Sequence, residues 1–205
     1  MSNEETLNFA LKADMKKENQ LIKKALNIDE VLKIAIYKLE IAYNIMSDST
    51  RENNLANFVA FLKDEMKFDF ESIKYNLDTR IHLQKYVFFA PFFDWRLGYE
   101  DTFSLYHYGP YSPALAHDYF KLLTLEETKQ EYNLPANFKK ELFKMTLNNR
   151  DTRWLELAAT AKSIFEANRT LTNEQLANAV SDVKGRKYRQ QDIIGILKEA
   201  TTLLS

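Results

Sequence analysis

"SLYHYGPYSPALAHDYF", Ser104 to Phe120, is the stretch whose reading decides the fold. The 205 residues contain only four glycines and four prolines, yet Gly109, Pro110 and Pro113 fall within five positions here. Just before them, "TFSLYHYG" alternates Phe103, Leu105 and His107 against Ser104, Tyr106 and Tyr108. That is the period of a short strand, in residues of high β-propensity. Gly109-Pro110 makes a turn. Ser112-Pro113 starts a helix, with Ser as N-cap and Pro at the first helical position, where its missing N–H costs nothing. The stretch thus switches the chain from strand to helix in a tight, rigid corner. A lone strand needs a partner. The expected one is "FFDWRL", Phe92 to Leu97, brought back by a turn at Gly98.

Upstream, the first 75 residues contain no Gly and no Pro, so nothing there interrupts a helix. Ile28, Leu32, Ala35, Leu39, Ala42 and Met46 recur in alternating steps of four and three, a heptad seam. Val31, Ile34, Ile36, Ile41 and Ile45 widen that seam, so core packing or a subunit contact is expected. "SDST", Ser47 to Thr50, reads as a break with helix-starting chemistry. Leu55, Phe58, Val59, Leu62 and Met66 form a second apolar stripe. A further helix is expected over Asp78 to Ala90, ended by Pro91.

Downstream, Leu125–Tyr132 reads as polar helix, Pro135–Leu147 as helix and Asn148–Asp151 as a loop. "TRWLELAATAKSIFEA" is a helix from Thr152. Thr172 with Gln175 three residues on is a capping box. "KGRKYRQQ" from Lys184 is a basic turn, and "DIIGILKEATTLL" closes the chain as a helix. The expected fold is mainly α, a multi-helix bundle with a small β-hairpin before the Gly-Pro corner. Residues 1–75 read as an N-terminal helical extension and 76–205 as the main helical domain. Residues 150–205 have helix-turn-helix character.

Composition narrows the classes of function. With 45% hydrophobic and 28% charged residues, the chain can bury a real core. There is no run of about 18 apolar residues, so no membrane span is expected. The acidic start "MSNEETLNFALKADMKK" is not a secretory leader. The absence of cysteine excludes disulfides, thiolate nucleophiles and Cys-ligated metals, and a cytoplasmic location is expected. A net charge of −1 argues against a general nucleic-acid binder. Only residues 150–205 lean basic, with nine basic against seven acidic residues.

The candidate chemistries are few. His107, His117 and Asp118 could be drawn together as a metal or catalytic centre, but consecutive residues on a helix point about 100° apart and the spacing fits no metal motif. Ser112 is better employed capping its helix than as a nucleophile. No cofactor is expected. Lys184, Arg186, Lys187 and Arg189 could contact phosphates, which makes DNA binding the alternative function. The strongest signal is aromatic: twelve Tyr, Phe and Trp residues lie between Tyr86 and Tyr119. Beside a rigid corner, such rings suit a protein-binding surface.

"RIHLQKYVFFA" followed by "FSLYHYGPYSPALAHDYFKL" resembles the YwgA-like proteins and, through them, the Panacea (SocA-like, phage-associated) domain. The shared pattern is Leu83-Gln84-Lys85 on a helix, then an aromatic strand ending in Tyr108 to Ser112, then a helix near Pro113. The resemblance covers Arg80 to Leu123 and leaves the first 75 residues outside it. It implies a mostly helical fold with a small β element and a binding role, typically as an antitoxin module in toxin–antitoxin or phage-linked loci. No catalytic residue comes with it. The expectation is therefore a non-enzymatic protein-binding module. Its surface is built around Lys85, Tyr106, His107, Tyr108, Tyr111 and Ser112, its partner is a protein such as a toxin, and the heptad seam allows a homodimer.

Overall fold

The computed structural model describes residues 28–124, 131–200 and 203, with side chains for all of these except 28–31 and 40–49. The helix expected over Leu125–Tyr132 falls largely outside the described residues, as do 1–27 of the expected N-terminal extension and 201, 202 and 204 of the closing helix. Of the heptad seam, positions Ile28, Ala42 and Met46 have no described side chain. The protein is mainly helical, with one two-stranded antiparallel hairpin among the described residues. It divides into two units, Met1–Asp48 and Ser49–Ser205.

The first unit contains the start of helix α1 (Ile28–Met66), which belongs to the second unit from Ser49 onward. The break expected at Ser47–Thr50 does not occur, because no Gly or Pro enforces it and strong helix formers flank it. Leu32, Ile34, Ile36, Tyr37 and Leu39 are each at least 50% exposed, so this part of the seam is not core.

In the second unit, Leu55, Phe58, Val59, Leu62 and Met66 of α1 are buried, as their stripe predicts. They share one core with residues from Phe70 to Leu203, so 49–75 pack with the downstream helices. Asn76 caps α2 (Leu77–Phe89) by accepting from the Asp78 and Thr79 amides. Pro91 then forces a short 3₁₀ turn, Ala90–Phe93. Beyond it, Phe93, Trp95, Leu97 and Tyr99 are buried while Phe92, Asp94, Arg96 and Gly98 are exposed. The alternation is real but makes no strand: the run plugs its rings into the core. Phe58 and Trp95 meet edge to face at 5.0 Å, and Phe93 and Phe143 at 5.3 Å. Each such pair adds about 1 kcal/mol beyond its burial.

The partner of β1 (Ser104–Tyr106) is instead β2 (Gly109–Tyr111), across a turn at His107 and Tyr108. Ser104 pairs with Tyr111, Leu105 with Pro110 and Tyr106 with Gly109. Helix α3 (Pro113–Thr124) follows. Ser112 Oγ accepts from the Leu115 amide at 3.0 Å, the N-cap that Ser-Pro predicts. Helix α4 spans only Lys140–Leu147, because 135–139 make a turn after Pro135. Glu65 ties α1 to α4 through Lys140 at 2.8 Å and Lys144 at 2.6 Å. Those hydrogen bonds, Lys140 first, hold its carboxyl down to about 2.

Helix α5 (Thr152–Ala167) is central. Every residue from Trp154 to Lys162 is buried. Leu155, Ala158 and Ala159 join the main core, while Leu157 and Ala161 join a second cluster. That cluster is completed by α6 (Asn173–Val183) and α7 (Gln190–Glu199). The capping box of Thr172 and Gln175 is formed in full.

Candidate functional site

Leu83-Gln84-Lys85 and Tyr108 to Ser112 form one structural unit. Gln84 donates through Nε2 to the Ser112 carbonyl at 3.0 Å and accepts from the Ser112 amide through Oε1 at 2.9 Å. The side chain of α2 thus pairs with a buried segment of backbone as a strand neighbour would. Lys85 Nζ donates to the Pro110 carbonyl at 2.6 Å. Pro110 has no N–H to leave unpaired against the helices, so proline suits the inner strand of the hairpin. Ser112 Oγ also lies 2.7 Å from Thr102 Oγ1.

Gly109 completes the fit. Its φ is +83°, and a Cβ placed there would lie 2.9 Å from Thr160 Oγ1 and 3.2 Å from the Glu156 carbonyl. Only glycine combines that conformation with so close an approach to α5. Thr160 Oγ1 is in turn turned toward its own helix, donating to the Glu156 carbonyl at 2.7 Å.

A charged cluster lies beneath the hairpin. Lys184 Nζ is 2.7 Å from Glu156 Oε1 and donates to the His107 carbonyl at 2.8 Å. Tyr188 OH donates to Glu156 Oε2 at 3.3 Å. Burial, reinforced by Lys184, pushes the Lys85 amine down to about 7. Burial also lowers Lys184, against the pull of Glu156.

Above this scaffold lies a groove of about 330 Å³. Its walls come from α2 (Leu77, Arg80, Ile81, Gln84, Lys85), the hairpin (Tyr106 to Gly109, and Tyr111) and α3 (Tyr119, Phe120). Tyr106 packs edge to face on Tyr111 at 5.4 Å, and His107 on Tyr108 at 4.8 Å. Arg80 lies over the Phe120 ring at 5.4 Å while its Nε and Nη2 hold the Ile73 and Lys74 carbonyls. Burial pushes the Tyr119 hydroxyl up to about 12, so it stays a neutral hydrogen-bonding group. The lining contains no carboxylate.

The expected recognition residues separate into two sets. Tyr106, His107 and Tyr108 are exposed, and Tyr111 is half-buried in the groove wall. Lys85 is 1% exposed and Ser112 fully buried. Neither can present itself at a surface, because both are spent on backbone groups of the corner. Among the basic residues, Lys184 is likewise buried by its bonds to Glu156 and His107, whereas Arg186, Lys187 and Arg189 are exposed. Asp118 is buried and holds Arg51 Nε and Tyr99 OH, each at 2.8 Å, rather than facing His107. Among the described residues no three metal-ligating side chains cluster. Leu77, Arg80 and Phe120 were missed by sequence reasoning, although Leu77, Ile81 and Lys85 recur every four residues along one face of α2.

No family model, curated protein or solved structure matches the chain.

Proposed function

We propose that the chain is a non-enzymatic protein-binding module, antitoxin-like as the YwgA and Panacea resemblance implies, that docks a protein such as a toxin in the groove beside the hairpin. The observation that carries this reading is the exposure of Tyr106, His107 and Tyr108 on a hairpin whose other side is locked to α2 and α5. Preformed rings on a rigid support supply contact area with little entropy left to lose. A groove of about 330 Å³ is also large enough to seat a side chain or two of a partner.

The test is co-purification of the native protein with its partner, followed by pull-down with Tyr106→Ala plus Tyr108→Ala. Loss of the partner with helicity unchanged supports the reading. Retention of the partner by a folded double variant overturns it. Under the alternative, DNA regulation, Arg186, Lys187 and Arg189 remain at the surface, and salt-sensitive duplex binding that falls in Arg186→Ala plus Lys187→Ala is expected. A homodimer through α1 is favoured by the open seam at Leu32 and Leu39. Sedimentation of Leu32→Asp plus Leu39→Asp tests it, the dimer being refuted if wild type already sediments as a monomer. A cytoplasmic setting fits this function, and no described helix is long and apolar enough to cross a membrane.

A further inference from the structure

The aromatic corner and the basic turn are separated by some 75 positions in the sequence, yet they meet in the structure. Lys184 Nζ holds the His107 carbonyl at 2.8 Å while paired with Glu156 at 2.7 Å. This buried link pins the start of the basic turn against the tip of the hairpin. The turn then projects outward: Gly185 and Arg186 both have positive φ, +57° and +58°, and the Arg186 side chain is 84% exposed. Lys187, three residues beyond that link, lies over the Tyr188 ring at 5.0 Å. Arg80 lines the groove with the same rings, and no carboxylate does.

We infer that the partner presents an extended acidic protein segment, with a large apolar side chain seated among the groove rings and flanking carboxylates set against Lys187 and Arg186. This rests on the reading of the hairpin face as a protein-docking surface, and adds the chemistry of what docks there. Charge complementarity selects the occupant: Arg80 is in the lining, the basic turn starts at the hairpin tip, and the lining has no anion to repel a carboxylate. The pairing of Arg186 with Asp182, at 3.5 Å and well exposed, is weak enough to be exchanged for a partner's carboxylate. Nucleic acid is disfavoured on the same surface. Arg189 has Nε and Nη2 both engaged by Asp192, and Lys184 faces inward. Two exposed cations at the turn, Arg186 and Lys187, suit one or two carboxylates, whereas a nucleic-acid backbone calls for a longer run of them.

The experiment uses the full chain and three fluorescein-labelled ten-residue peptides. Each places Phe and Leu at the same positions, interspersed with Glu and Asp, with Gln, or with Lys. A single-stranded 12-nucleotide RNA is the fourth probe. Fluorescence anisotropy measures affinity, and amide shifts at Tyr106, Tyr108 and Gly109 locate binding. The acidic peptide is expected to bind best, to shift those amides, and to weaken about tenfold in Arg186→Glu plus Lys187→Glu and again as salt rises. Both substituted residues are exposed, and circular dichroism checks that the variant folds. If the Gln peptide binds as well as the acidic one and is lost in Tyr106→Ala plus Tyr108→Ala, the acidic partner is overturned while the docking groove stands. If no peptide binds, both fall. If the Lys peptide or the RNA binds more tightly than the acidic peptide, the inference is overturned.

Discussion

Gly109 lies against the backbone of α5 with no room for a side chain, while Tyr108, its neighbour in sequence, is 38% exposed. The two sides of this hairpin obey different rules. On the inner side backbone groups of the corner are matched by side chains from elsewhere in the fold: Ser112 by Gln84, the Pro110 carbonyl by Lys85, the His107 carbonyl by Lys184. Among the described residues no buried side-chain polar atom is left without a partner. On the outer side, β1 is exposed along its whole length, its Tyr106 ring meets Tyr111 of β2, and at the turn His107 meets Tyr108. The residue pattern that carries the family resemblance lies mostly on the inner side. Under the proposed reading the inner side is a platform, and the exposed rings decide what it holds. Substitutions on the inner side should act on stability, and those on the outer side on binding alone.

Gly109→Ala is the harshest way to test that division. It forces a left-handed conformation on an L side chain, costing about 1–2 kcal/mol, and drives a methyl toward Thr160 Oγ1, which overpacking places at about 1–3 kcal/mol more. A loss of about 3 kcal/mol in urea unfolding is expected, partly restored by adding Thr160→Ala, which removes the atom it meets at 2.9 Å. A loss below about 1 kcal/mol would mean that the hairpin is not held against α5 as described. Gln84→Leu comes next. It keeps the volume but leaves the buried Ser112 amide and carbonyl without Gln84, for a loss of about 2–3 kcal/mol.

Lys85→Met separates the charge on the inner side from its packing. With its amine pushed down to about 7 in the folded chain and an ordinary value of 10.5 when unfolded, Lys85 carries fewer protons folded than unfolded between those limits. Stability from this group therefore rises as pH increases across that window and is lost as pH falls toward 7. Unfolding midpoints measured from pH 7 to 10 should climb more in wild type than in Lys85→Met. Near pH 7 the two should differ little, since the variant loses a hydrogen bond to Pro110 but also a buried amine. Parallel pH profiles would show that Lys85 is charged and well solvated in the folded state.

The sequence made legible what is local. Ser112-Pro113, Thr172 with Gln175 and the stripe from Leu55 to Met66 each state their structure in a few residues, and the structure has them. What it concealed depends on residues far apart. The strand partner was misread because Phe93 to Tyr99 alternate as a strand does while packing alone into the core. Lys85 and Lys184 look like surface residues until the backbone carbonyls and carboxylate that receive them are placed, and Ser112 until the Gln84 amide that pairs with its backbone is. Ser47–Thr50 carried cap chemistry without the Gly or Pro that would compel a break. Of the site itself, the rings were legible and the groove was not, since Arg80, Tyr119 and Phe120 join them only through folding.

The mildest substitution bears most directly on function. Tyr106→Ala plus Tyr108→Ala removes two rings from the outer side, where Tyr106 is 54% exposed and Tyr108 38%. Surface changes of this kind shift stability by about 0.5 kcal/mol or less, and the backbone bonds that fix the hairpin come from residues left in place. Unfolding curves of the double variant should therefore overlay those of wild type within about 1 kcal/mol, even though the groove has lost a wall. The edge contacts of Tyr106 with Tyr111 and of Tyr108 with His107 are given up, each worth about 0.5 kcal/mol at an exposed site, the low end for such pairs. If the double variant instead unfolds as readily as Gly109→Ala, the rings are structural: the two sides of the hairpin would then be one packed unit, and the separation of platform from recognition surface would fail at its weakest joint.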